Sequence, residues 1–140
     1  MTIKTFDMQF IRYMNIFSRV TRVSAKHCFL YNNMLVFIVP QFAVDQAIGR
    51  ENTNLKKISE VIGKRVRIIA EPKSRKDIER FLKILVSPVE FQSLEVKDDE
   101  AIITAGMENK AMLIGRQRAR EQELKEILAQ YFQIKNVRIL

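Results

Sequence analysis

Two short basic loops, 66 residues apart, hold the residues of this chain that are best placed to bind a ligand. They read Ile48-Gly49-Arg50 and Ile114-Gly115-Arg116. In each, one helical pattern ends at the glycine and another begins within a few residues. A helix start offers unpaired backbone N–H groups and a positive dipole end, and glycine lets a ligand approach the main chain closely. Each loop is therefore predicted to bind a phosphate group, with its arginine adding positive charge.

The elements around the first loop follow from hydrophobic spacing and turn residues. An aromatic stripe at spacings of three and four, from Ile3 and Phe6 through Phe17, predicts an amphipathic helix that packs on a sheet. Two strands joined by a tight turn at Asn32-Asn33 follow, and Pro40 ends the second strand. In the short helix after them, Phe42, Val44 and Ile48 are the expected apolar positions. The predicted ranges are 3–20, 26–31, 34–39, 41–48, about 52–62 and 66–69.

The second half repeats this order. Ser74 to Asp77 has the spacing of a capping box and starts a helix that closes before Pro88. The acidic run Asp98-Asp99-Glu100 lies between two predicted strands, where a hairpin turn is favoured and a metal site is conceivable. The other predicted ranges are 89–96 and 101–105 for strands, 107–114 and 118–132 for helices, and 137–140 for the last strand.

An internal repeat of this kind predicts two copies of one small α+β unit. The expected domains are residues 1–70 and 71–140. Only Glu71-Pro72-Lys73 separates them, so we expect the two units to pack rigidly and to offer one continuous binding track.

The charge balance favours a polyanionic partner. Lys and Arg total 24 against 16 acidic residues, a formal charge of +8. Such a balance suits nucleic acid or an acidic membrane surface. The first 70 residues hold 11 basic and 4 acidic residues and the last 70 hold 13 and 12, so the first unit is expected to dominate nonspecific attraction. The cations near the loops are Lys56, Lys57, Lys64, Arg65 and Arg67, and Lys110, Arg116, Arg118 and Arg120.

Catalysis and membrane insertion are disfavoured. Cys28, the single cysteine, follows His27 directly, and neighbouring residues of a strand point to opposite faces. We therefore expect no catalytic residue, metal or cofactor. The longest apolar run, Met34 to Val39, is too short to cross a bilayer, and no signal segment precedes it. A soluble, cytoplasmic monomer without a membrane partner is expected.

The order of elements and the two Ile-Gly-Arg loops resemble the KH domain in its prokaryotic (type II) arrangement, helix-strand-strand-helix-helix-strand, present in tandem. The resemblance implies that a G-x-x-G loop in each unit clamps about four nucleotides of single-stranded RNA beside an apolar groove. Val39 and Leu55, with the isoleucines of the loops, are candidates to line that groove, and each is equally credible as a core residue. The residues expected to contact RNA are Ile48, Gly49, Arg50, Glu51, Asn52, Lys56, Lys57, Ile114, Gly115, Arg116, Gln117, Arg118 and Arg120.

Both loops depart from the family pattern at the second glycine. Asn52 replaces it in the first loop, and asparagine both tolerates a left-handed backbone and can cap the following helix. Arg118 replaces it in the second loop. That loop is expected either to be reshaped or to exchange backbone approach for side-chain contact with phosphate.

The tandem pair is similar to the archaeal NusA-like transcription factors, most closely at Gln46 to Asn52 and Ala111 to Arg116. This resemblance implies RNA binding linked to transcription termination or antitermination, with RNA polymerase or other transcription or translation machinery as further partners. The alternative is a degenerate pair of units that acts as a protein-interaction module on RNA polymerase or the ribosome.

Overall fold

The structure, a computed structural model, describes residues 8–140. The predicted start of the first helix, with Ile3 and Phe6, lies outside the described residues. Within them the chain forms six α-helices and two three-stranded sheets, which confirms the α+β class. The described residues divide into two compact units, one ending at Glu71 and the other running from Pro72 to Leu140. No helix among residues 8–140 has both the length and the apolar character needed to span a bilayer.

The first unit places its helices around a sheet of order β1-β2-β3. The β1 and β2 strands are antiparallel, and β2 and β3 are parallel. A parallel pair needs a crossover connection, which the helices between β2 and β3 supply. The elements are α1 Met8–Thr21, β1 His27–Tyr31, β2 Met34–Val39, α2 Val44–Ile48, α3 Thr53–Ile62 and β3 Val66–Ala70.

The hairpin between β1 and β2 is the predicted two-residue turn. Asn32 and Asn33 both have a positive φ, 51° and 61°. Tyr31 pairs with Met34 across the turn. Two left-handed residues give the turn a twist that matches the flanking strands, and asparagine accepts that backbone at low cost.

The aromatic stripe of α1 forms the core of the first unit, as predicted. Phe17 is fully buried and stacks on Phe37 of β2, with ring centroids 4.3 Å apart. Tyr13 is also buried, and Ile58 of α3 belongs to the same cluster. The helix ends where the buried Thr21 hydroxyl donates to the Phe17 carbonyl at 2.8 Å.

The segment 41–48 differs from the prediction. It begins as a 3₁₀ turn, Gln41–Ala43, before α2. Phe42, one of the apolar positions expected for this helix, is 87% exposed, whereas Ala43 and Ala47 are buried. These alanines are four residues apart and share one helix face. Their small size lets the short helix lie close to the sheet, which a phenylalanine on that face would prevent.

The second unit has the same arrangement, with a sheet of order β4-β5-β6. Its first two strands are antiparallel and its last two are parallel. The core includes Phe81 and Phe132, whose ring centroids lie 5.5 Å apart. The elements are α4 Ile78–Val86, β4 Ser93–Lys97, β5 Glu100–Thr104, α5 Met107–Ile114, α6 Ala119–Phe132 and β6 Asn136–Ile139.

The predicted cap before α4 is present. The Ser74 side chain accepts a hydrogen bond from the Lys76 N–H at 3.2 Å. The Asp77 carboxylate accepts one from the Lys73 N–H at 2.8 Å. That hydrogen bond, followed by the neighbouring Arg80, lowers the pKa of Asp77. Local capping thus defines the start of this unit.

The first strand of the second unit is shorter than predicted. It begins at Ser93, which pairs with Thr104, and not at Val89. The Val89 N–H instead donates to the Val86 carbonyl at 2.9 Å, which closes a turn after α4. Apolar character alone therefore placed the strand four residues too early.

The acidic run is the predicted hairpin turn. Asp98 has a φ of 53°, and Lys97 pairs with Glu100 across it. The Asp99 carbonyl accepts hydrogen bonds from the N–H groups of Lys135 and Asn136 at 2.8 and 3.0 Å. Among residues 8–140 no three His, Cys, Asp or Glu side chains are grouped so that they could hold a metal ion.

Candidate nucleic-acid interface

The two glycine loops have the same backbone conformation. Gly49 has φ 80° and ψ 165°, and Gly115 has φ 76° and ψ 170°. Two residues later, Glu51 and Gln117 are both left-handed, at φ 54° and 55°. The sequence repeat is therefore also a repeat of local structure.

The position of the missing second glycine is left-handed in both loops. Asn52 has φ 62° and ψ 25°, and Arg118 has φ 61° and ψ 24°. The prediction that Asn52 tolerates a left-handed backbone is confirmed. The prediction that the second loop is reshaped is wrong. Arginine in this conformation costs about 1 kcal/mol, because its Cβ crowds the following carbonyl oxygen. The second loop keeps its shape at the expense of local strain.

The predicted cap by Asn52 is absent, since its side chain makes no capping hydrogen bond. The Thr53 hydroxyl instead donates to the Arg50 carbonyl. The Asn54 amide donates to the Gln46 carbonyl at 3.1 Å. The side chains of Thr53 and Asn54 therefore make hydrogen bonds at this loop in place of the expected cap.

Glycine is required in both loops for two reasons. Its positive φ and extended ψ lie in a region that other residues rarely adopt. A Cβ at Gly49 would also lie 2.9 Å from the Asn54 nitrogen, and one at Gly115 would lie 2.9 Å from the Arg120 nitrogen. The chain therefore turns so tightly that the next helix begins directly beside the glycine.

Each loop leaves two backbone amides available. The Gly49 N–H donates to the Asp45 carbonyl at 3.0 Å, and the Asn52 N–H donates to the Gly49 carbonyl at 3.2 Å. Between them, the amides of Arg50 and Glu51 donate to no group within the part of the chain that the structure describes. The second loop repeats this pattern at Arg116 and Gln117. Two adjacent free donors at a helix start can bind one anionic oxygen group.

Most side chains predicted to contact RNA are accessible. Arg50 and Arg116 are exposed, and Ile48 and Ile114 are half-buried beside them. Val39 is fully buried in the sheet, so of the two places that the sequence leaves open for it, the groove and the core, it occupies the core. The other exposed candidates are Glu51, Asn52, Lys56, Lys57, Gln117 and Arg118, while Arg120 is half-buried.

Ion pairs distinguish the second loop from the first. Arg118 contacts Glu121 at 2.9 Å, and Arg120 contacts Glu123 at 3.1 Å. Glu121 also lies in the first turn of α6, whereas the first turn of α3 holds no acidic residue. Sequence reasoning named the arginines and missed the carboxylates, although the i,i+3 spacing of each pair is visible in the sequence.

A groove of about 430 Å³ lies beside α3 in the first unit. Its apolar walls come from three elements, and Arg65 and Arg67 flank them. Burial, followed by the like charge of Arg65, lowers the pKa of Arg67. The sequence predicted both arginines as cations after the helix but did not predict the groove that they flank. The lining residues are Met34, Leu55, Lys56, Ser59, Glu60, Arg65, Val66 and Arg67.

Comparisons with known proteins find two proteins that are similar to this chain over most of its length. No model of a known protein family matches the chain. The chain is similar over most of its length to the crystal structure of APE1850, with a TM-score of 0.66 and 26% identity, covering 96% of this chain and 100% of that one. It is also 24% identical over 134 residues to the probable transcription termination protein NusA of Methanocaldococcus jannaschii. That match covers 93% of this chain and 72% of the relative.

Proposed function

We propose that this protein is a noncatalytic, RNA-binding transcription factor built from two tandem type II KH domains, residues 1–70 and 71–140. The repeated element order and sheet order of the two units support this proposal. The distant similarity to a transcription termination protein supports its place in transcription. The observation that carries the proposal is the duplicated glycine loop with its two available amides.

The loops bind the sugar-phosphate backbone of single-stranded RNA. A phosphate oxygen accepts from the amides of Arg50 and Glu51 in the first unit, and from those of Arg116 and Gln117 in the second. The guanidinium groups add charge-assisted hydrogen bonds. Bases stack or pack on apolar side chains beside each loop, while Lys56 and Lys57 strengthen the attraction along α3. One strand engages both loops.

The relative from Methanocaldococcus jannaschii is a probable transcription termination protein, and we extend that role to this chain. Its further partner is then RNA polymerase or another part of the transcription or translation machinery. A monomer located in the cytoplasm stays a prediction.

Titration of a labelled single-stranded RNA at several salt concentrations tests the proposal. If Z phosphates are neutralised, the logarithm of affinity falls with the logarithm of salt at a slope of about −0.7Z. The double variant Arg50→Glu/Arg116→Glu should lower affinity by about a hundredfold, since each change replaces a phosphate contact with a repulsion. Arginine positions are preferred because any side chain at Gly49 or Gly115 would strain the loop itself.

The matched control is Arg19→Glu/Lys83→Glu, which makes the same change in net charge at exposed helix positions. Its affinity should stay well above that of the loop variant. Equal losses in the two variants would mean that binding is diffuse and does not use the loops.

The alternative function is a protein-interaction module, and the ion-paired arginines of the second loop favour it. A folded wild-type protein that binds no single-stranded RNA at low salt would replace our proposal with this alternative.

A further inference from the structure

We infer that the two units bind RNA unequally: the groove beside α3 in the first unit supplies most of the affinity, and carboxylates exclude anions from the equivalent place in the second. This inference rests on the proposed function and assigns its binding site to one of the two domains.

Strand register defines which positions are equivalent. Leu35 pairs with Val66 in the first sheet, and Ala101 pairs with Val137 in the second. The same 66-residue offset that relates the loops relates Leu35 to Ala101. Val66 therefore corresponds to Val137. Arg65 and Asn136 each precede this valine, and Arg67 and Arg138 each follow it, so these residues also correspond. Along the helices after the loops, Leu55 corresponds to Glu121 and Lys56 to Gln122.

Apolar walls in the first unit become carboxylates in the second. Met34 and Leu55 line the first groove, and their counterparts are Glu100 and Glu121. A base could pack on the methionine and leucine side chains. It would meet two negative charges in the second unit, where RNA phosphates would also be repelled.

The cations near the second site are held by those carboxylates. Glu100 accepts a hydrogen bond from the Asn136 amide at 2.9 Å and lies 3.8 Å from the Arg138 guanidinium. Glu121 holds Arg118 at 2.9 Å. A phosphate must displace these carboxylates before it can bind Arg118 or Arg138. It therefore gains less binding free energy from these two arginines.

Three cations of the first site are not held by carboxylates in this way within the described residues, although Glu60 also lines the groove. Arg50, Lys56 and Arg65 make no ion pair within the described residues. Arg65 donates to a backbone carbonyl, that of Asn32, at 3.2 Å. Burial is the main cause of the lowered pKa of Arg67, and the like charge of Arg65 adds to it.

The size and lining of the groove suit part of a single strand. Its volume of about 430 Å³ lies within the range of ligand-binding sites. Met34, Leu55 and Val66 give it an apolar wall, and cations flank that wall. A base on the wall leaves its phosphates near Lys56 and Arg65, which is the division of roles expected for single-strand binding.

Matched substitutions in the two units test the inference. Lys56→Gln/Arg65→Asn installs the residues of the second unit in the first, at exposed positions. Arg118→Gln/Arg138→Asn removes the same amount of charge from the second unit, at the two cations that Glu121 and Glu100 hold. In titrations of single-stranded RNA, the first double variant should lose about tenfold or more in affinity and about 1.4 in salt slope, for two lost phosphate contacts. The second should lose less than about threefold.

Neutralising the two carboxylates of the second unit tests their role directly. Glu100→Gln/Glu121→Gln keeps side-chain size and hydrogen bonding, and should raise affinity by about threefold or more. Circular dichroism and thermal unfolding establish that each variant is folded. Equal losses from the two cation variants, or an unchanged affinity after the glutamine substitutions, would overturn the inference while leaving the proposed function intact. A wild-type protein that binds no RNA would overturn both.

Discussion

Arg118 and Asn52 adopt the same left-handed backbone conformation, with φ 61° and 62°, at equivalent positions of the two loops. Only asparagine is suited to it by its own chemistry. The surrounding structure therefore imposes the conformation on the arginine. The Gly115 turn before it and the packed helix after it leave the chain no other path.

This relationship predicts that Arg118→Gly stabilises the protein. Removing the Cβ relieves about 1 kcal/mol of backbone strain, and the exposed ion pair with Glu121 that is lost contributes less than about 1 kcal/mol. We expect a higher free energy of unfolding, by about 0.5 kcal/mol, in urea denaturation. Asn52→Gly is the control and should give no gain, since asparagine already tolerates this backbone. No gain from Arg118→Gly, or an equal gain from Asn52→Gly, would contradict a strain that is specific to Arg118.

Helix α3 offers a matched pair of apolar substitutions. Ile58 is fully buried and Val61, three residues later, is 59% exposed. Ile58→Ala should cost about 2–5 kcal/mol because it leaves a cavity in the core. Val61→Ala should change the free energy of unfolding by less than about 0.5 kcal/mol. Similar effects of the two changes in chemical denaturation would contradict the orientation of α3.

In the segment before the first loop, stability should depend on a small buried alanine and not on the larger, more hydrophobic phenylalanine. Phe42→Ser should leave stability within about 0.5 kcal/mol of wild type, because the ring is exposed. Ala47→Leu should cost about 1–3 kcal/mol, because the fully buried alanine has no room for added methylene groups. Thermal unfolding monitored by circular dichroism measures both. A severe loss from Phe42→Ser would mean that this ring is buried after all.

Cys28 should make stability fall with rising pH. Burial raises the pKa of this thiol above its ordinary value of 9.0. The folded state therefore keeps its proton at a pH where the unfolded state loses it, and stability decreases above pH 9.0. Between pH 8 and pH 10 the wild type should lose about 1.4 kcal/mol more than Cys28→Ala. Urea denaturation in the presence of a reductant measures this difference, and parallel pH profiles of the two proteins would exclude the effect.

Local interactions explain which elements could be predicted. The unbroken apolar run from Met34 to Val39 predicted the β2 strand with its observed bounds, and the Asn32-Asn33 pair predicted its turn. The capping residues Ser74 and Asp77 act within a few residues of each other. The glycine of each loop is visible because no other residue fits its backbone.

Contacts between distant segments explain what was missed. Strand β4 begins where Ser93 meets Thr104, and that pairing depends on β5 and not on the apolar residues before it. Phe42 is more hydrophobic than Ala43, but the distance between α2 and the sheet selects the smaller side chain for burial.

The sequence by itself determined the duplicated α+β order, the two glycine hinges and the excess of positive charge in the first half, because these depend on residue type and near neighbours. The tertiary structure alone decided that Arg118 is left-handed, that Glu100 and Glu121 occupy the places of Met34 and Leu55, and that Lys56 and Arg65 flank one groove. Those relationships join strands and helices that are far apart in the chain, and close packing of the whole unit sets them.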